Sequence, residues 1–178
     1  MVSQEMLEAG RVRSAIREVF EYGRARALLI GEENVFDFSL GNPSVPPPPE
    51  VTAAFLDILE NCDPTAVHGY TSAPGSNDAR EAIAANLNRR YGTRFSRRNF
   101  YLTCGAAAAL NAVFRALTLS TESELVVIAP YFPEYACYAK SVGATLVVVE
   151  ANKASFQIDL DKLSAALTER TQAVVINS

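Results

Sequence analysis

Leu125-Val126-Val127-Ile128-Ala129 is an unbroken apolar run, followed at once by Pro130-Tyr131-Phe132-Pro133-Glu134-Tyr135. Five apolar residues bounded by turn signals read as a strand buried on both faces. The pattern repeats downstream. Residues 133–142 read as a helix, 145–150 as a strand, 160–167 as a helix and 173–176 as a strand. Upstream, an alanine-rich helix over 105–119 follows a short strand over 100–103. Strands of near-continuous Val, Ile and Leu alternating with helices predict an α/β fold. The expected form is a three-layer α/β/α sandwich on a mostly parallel sheet. The last strand has no following element to cover it, so the sequence is expected to be a piece of a longer chain or to be completed by another.

Nearer the N-terminus, Met6, Val12, Ile16, Val19, Phe20, Ala27 and Leu28 recur at helical spacing within residues 3–30. A short extended piece over 35–40 leads into prolines between Pro43 and Pro49, which suit neither a helix interior nor a central strand. Residues 50–60 resume a helix, with Pro49 placed for its first position. A Gly/Pro/Ser/Thr-rich loop over 68–75 precedes a helix ending near Tyr91-Gly92. Asp78 and Glu81 form a capping-box-like start for it.

Composition narrows the function classes. The 178 residues are 49% hydrophobic with a net charge of -4, a globular balance. Arg89, Arg90, Arg94, Arg97 and Arg98 cluster at a helix end and read as a solvated face, not a nucleic-acid stripe. Cys62, Cys104 and Cys137 lack CxxC spacing and are expected to be buried thiols in a reducing compartment. No stretch approaches the about 18 apolar residues of a membrane span, so a cytoplasmic protein is expected. His68 is the single histidine and reads as satisfying local hydrogen bonds in its loop; a multi-histidine metal site cannot be built, and no metal is expected.

Two segments carry candidate chemistry. Tyr101-Leu102-Thr103-Cys104-Gly105-Ala106-Ala107 runs from a strand through glycine into a helix start, where free N–H groups and the dipole attract phosphate. It also fits a plain tight turn. The segment Pro130-Tyr131-Phe132-Pro133 places an aromatic at the carboxyl end of a strand, where it could stack on a flat ring or simply cap the core. Together they describe a site for a phosphorylated aromatic cofactor.

The order of motifs resembles the class I/II pyridoxal-phosphate (PLP) aminotransferases of PLP fold type I. Leu40-Gly41-Asn42-Pro43 is similar to the family's entry motif. Tyr70-Thr71-Ser72-Ala73-Pro74-Gly75 with Arg80-Glu81 matches its Tyr-(four residues)-Gly-(four residues)-Arg-Glu pattern. Cys104-Gly105-Ala106 falls at the phosphate turn and Pro130-Tyr131-Phe132-Pro133 at the ring-stacking segment. Val174-Val175-Ile176-Asn177-Ser178 resembles the strand before the Asn-Pro-(Thr/Ser)-Gly signature.

The resemblance implies two domain parts: residues 1–45 as a helix and arm of a small domain, and 46–178 as the N-terminal half of the PLP-binding large domain. It implies that Gly105, Ala106 and Ala107 offer amides to the phosphate, that Phe132 lies on the pyridine ring, and that Gly41 adjoins the substrate carboxylate. Tyr70 would reach the phosphate of a neighbouring subunit, making the protein a homodimer, and Arg80 would be a structural ion-pair residue. Cys104, Ala106 and Ala107 depart from the Ser/Thr hydroxyls that many members carry at this turn.

The implied activity moves an amino group between an amino acid and a 2-oxo acid. That chemistry needs a Schiff-base lysine and a carboxylate beside the ring nitrogen. Lys140, Lys153 and Lys162 do not match the family's lysine segment, so no catalytic residue is assigned and the piece is expected to be inactive alone. Other expectations are a different PLP reaction, such as C–S lysis or decarboxylation, and a non-catalytic split module.

Overall fold

A computed structural model describes residues 2–11, 14–41 and 43–177. Val12 of the first helical pattern, Asn42 of the entry motif and Ser178 of the last strand lie outside the described residues. The chain divides into two compact units, Met1–His68 and Gly69–Ser178.

The first unit holds α1 (Gln4–Arg11), α2 (Ala15–Ile30), a 3-10 turn (Glu32–Asn34), α3 (Pro49–Asn61) and α4 (Pro64–Val67). The single helical stretch expected over residues 3–30 is therefore two helices, with Ser14 already extended as the residue before α2. Pro49 opens α3, where its missing N–H costs nothing. Asp63 caps α4 by accepting a hydrogen bond from the Thr65 amide at 3.0 Å.

The second unit begins with α5 (Asn77–Tyr91), a 3-10 turn (Arg97–Asn99) and α6 (Ala106–Leu117). Then β1 (Glu124–Ala129), α7 (Glu134–Ser141), β2 (Thr145–Glu150), α8 (Leu160–Ala166) and β3 (Thr171–Val175) alternate. All three strands are parallel, in the order β2-β1-β3, as α/β alternation requires. Leu125 is opposite Leu146 on one side and Ala173 on the other.

Leu125, Val126 and Val127 are fully buried, each worth roughly 1.5–3 kcal/mol of hydrophobic stabilisation. Phe114 of α6 and Ala139 of α7 join Leu125 in the core. Only β1 is covered so completely; β2 and β3 are half-open because each has one strand neighbour among the described residues.

A buried carboxylate ties the start of β1 to the entry of β3. Glu124 accepts from the Thr168 hydroxyl at 2.7 Å and from Arg170 Nε at 2.8 Å, with Arg170 Nη2 at 2.7 Å. The Thr168 hydroxyl, then the Arg170 guanidinium, hold the Glu124 carboxyl below its usual range against the opposing effect of burial.

Several expectations change. Residues 100–103 are extended but join no ladder; the Leu102 amide donates instead to the Pro74 carbonyl at 2.9 Å. Ser76, not Asp78, caps α5, its hydroxyl accepting from the Ala79 amide at 3.5 Å, while Gly92 ends the helix in the left-handed region. The three cysteines are free thiols but exposed, not buried: Cys62 follows the last turn of α3, Cys104 sits in an open turn and Cys137 faces outward from α7. The arginine cluster is exposed, as expected of a solvated face.

Candidate functional site

The turn into α6 is set by Gly105. Its φ of 86° and ψ of 175° belong to a region essentially reserved for glycine. Two bonds close the turn: the Gly105 amide donates to the Thr103 carbonyl at 2.8 Å, and the Thr103 hydroxyl donates to the Gly105 carbonyl at 2.9 Å. The first bond into the helix runs from the Ala109 amide to the Gly105 carbonyl at 3.3 Å. Ala106, Ala107 and Ala108 thus open the helix with amides that have no intrahelical acceptor. The turn is exposed, and beyond its two chain neighbours nothing lies within 4 Å of where a Gly105 side chain would start. Since the Gly105 amide is used internally, the donors left over are those of the alanines.

Phe132 follows β1 through a cis Ala129–Pro130 peptide. Its ring is 43% exposed and rests edge-on against Tyr135, 5.7 Å between centroids. Tyr135 is buried and also stacks with Tyr131 at 6.4 Å. One edge of Phe132 is therefore fixed while part of its surface stays open. Sequence inspection missed Tyr135 as the post behind Phe132, although its spacing one helical turn on was the available signal.

The other expected site residues are placed as follows. Tyr70 is fully exposed at the start of the second unit. Gly41 lies in the first unit, exposed, with nothing within 4 Å of a would-be side chain. Arg80 is buried, but its partners are neutral: Nη1 donates to the Arg97 carbonyl at 3.0 Å and Nη2 to Asn77 Oδ1 at 2.6 Å. The expected ion pair is replaced by hydrogen bonds to a backbone and an amide oxygen. Lys162 is engaged with Asp159 at 3.2 Å, and its backbone amide is the first cause of the lowered Asp159 pKa. Among the described residues no cluster of His, Cys, Asp and Glu could hold a metal ion.

The family model for aminotransferases of class I and II matches residues 33–178, which include every one of these positions. The chain belongs to that family. A probable N-succinyldiaminopimelate aminotransferase, DapC, of Mycobacterium tuberculosis is 31% identical over 175 residues, 97% of this chain and 42% of that protein. The aspartate aminotransferase of Thermotoga maritima is 31% identical over 156 residues, 87% of this chain and 40% of its own length. Among solved structures, an amino transferase from Eubacterium rectale superposes with a TM-score of 0.94 at 49% identity, covering 100% of this chain and 45% of that one. The chain thus spans less than half the length of these aminotransferases, and its fold is that of PLP fold type I domains.

Proposed function

We propose that this chain is the N-terminal, cofactor-binding portion of a PLP-dependent aminotransferase acting on an amino acid and a 2-oxo acid. The observation that carries it is the Gly105 turn, with open space at the glycine and the amides of Ala106 and Ala107 without intrahelical acceptors at the head of a 12-residue helix. Neutral amides reinforced by a helix dipole suit a phosphate dianion, and a half-exposed Phe132 suits the face of a pyridine ring. The residues present therefore fit the group.

Gly105 would keep side-chain atoms away from the phosphate, Ala106 and Ala107 would donate to it, and Phe132 would lie against the pyridine ring. When bound, the cofactor supplies an electron sink for the pair released as the substrate α-proton leaves. Gly41 would offer main chain to the substrate carboxylate. Residues 1–45 would belong to a small domain and 46–178 to the large one. Tyr70, with its whole side chain exposed, would serve the site of a second copy in a homodimer. Three exposed free thiols suit a reducing compartment, and we place the protein in the cytoplasm.

Titration with PLP, followed by absorbance, tests the site. Ala106→Pro deletes one amide while suiting the first helical position, so weaker binding with unchanged helix content is expected. Equal binding would remove the turn from the site. A screen of amino donors with a 2-oxo acid acceptor, run on the whole protein that carries the Schiff-base lysine, tests the reaction, and no turnover of any donor there would count against it.

A further inference from the structure

Among the described residues the segment that carries the Gly105 turn pairs with no strand. Three sets of polar contacts tie it back toward α5 and the loop before it. At the far end of α5, Asn88 Oδ1 accepts from the Phe95 amide at 2.7 Å and from the Thr93 hydroxyl at 2.8 Å, while Asn88 Nδ2 donates to the Phe95 carbonyl at 2.8 Å. One turn in from its start, Arg80 donates to the Arg97 carbonyl at 3.0 Å. Before the helix, the Pro74 carbonyl receives the Leu102 amide at 2.9 Å. The order 88, 80, 74 against 95, 97, 102 means that residues 93–102 run back along α5 and deliver the chain to the turn.

Arg80 is the central fastening. It is 7% exposed, its fork is split between Arg97 and Asn77, and its Nε is buried without a partner. A buried cation held by two neutral oxygens is a costly arrangement, and its geometry is rigid because the guanidinium plane is fixed at two points. Gly75 closes the other side. At φ 97°, a methyl there would lie 2.9 Å from Leu102 Cβ, so loop and segment meet with no spare room.

Resting on the cofactor site proposed above, we infer that Arg80 is a positioning residue for the phosphate turn, acting through the backbone of residues 97–102. It touches no ligand itself. Its fork sets where the extended segment lies, and that segment sets where the amides of Ala106 and Ala107 point. A lysine keeps the charge but cannot hold both acceptors in one plane.

The test compares PLP with pyridoxal, which has the same ring and no phosphate, on the full chain. Arg80→Lys is expected to weaken PLP by about tenfold and pyridoxal by less than about twofold, because a displaced turn costs only the phosphate contacts. Amide hydrogen exchange over residues 97–107 should quicken in the same variant. Asn77→Ala, which frees one arm of the fork, should do both more weakly, and it decides the matter should Arg80→Lys fail to fold. An unchanged PLP-to-pyridoxal ratio with unchanged exchange would overturn the inference. So would equal loss of both ligands, the mark of a merely structural residue. If the unmodified chain binds neither ligand, the cofactor reading falls, and the exchange data alone decide whether Arg80 positions the segment.

Discussion

The two units of this chain use the same kind of helix to opposite effect. In Gly69–Ser178, α6 and α7 press against β1, and Phe114 and Ala139 are 1% exposed. In Met1–His68, α2 and α3 are longer and carry apolar residues at helical spacing, yet neither contains a buried residue. Leu28 and Phe38 there are 89% and 92% exposed. Hydrophobic periodicity specifies a helix and one sticky face; it does not supply the layer that covers the face. Apolar exposure on this scale is that of a face whose covering layer is not among the described residues.

That contrast can be broken or sharpened. The largest expected effect is at the buried end: Phe114→Ala should destabilise the second unit by about 3–5 kcal/mol, because β1 and α7 cannot collapse into the space. A urea unfolding curve with an unshifted midpoint would mean that the core is not where we place it. Next comes acid. The Glu124 carboxyl holds its proton less tightly when folded than when unfolded, so its contribution is complete above the ordinary carboxylate range. It is lost as the pH falls through the lowered folded value. Unfolding midpoints measured from neutral pH down to pH about 3 should therefore fall less steeply for Glu124→Gln than for the unmodified chain.

Half-exposed positions come third. Phe132→Ala should weaken PLP by about two- to tenfold, the worth of one aromatic face, with little change in stability. The smallest effect belongs to the open unit. Phe38→Ser should leave the unfolding free energy within about 0.5 kcal/mol and reduce self-association seen by light scattering. A clear loss of stability would show that Phe38 is covered in solution and that the two units are less different than they look.

Much of the second unit could be read in advance. The bounds of β2 were legible to the residue, and β1 began one residue earlier than its apolar run because Glu124, though charged, is paired and buried. Pro49 announced α3 and Gly92 the end of α5, since each suits only a narrow range of backbone geometry. The candidate site was legible as two segments, one glycine turn and one proline-flanked aromatic. Their neighbours were not: Tyr135 against Phe132, and Arg80 on the Arg97 carbonyl, are set by packing or by backbone atoms that no side-chain pattern encodes.

By itself, then, the sequence determined what depends on neighbours in the chain: helix and strand periods, the glycine and proline punctuation, and the motif order that marks the family. Tertiary structure alone decided whether residues 100–103 had a ladder, whether the cysteines were covered, and what held Arg80. Each of those depends on which distant groups come within hydrogen-bonding or van der Waals reach, and only the folded chain sets those distances.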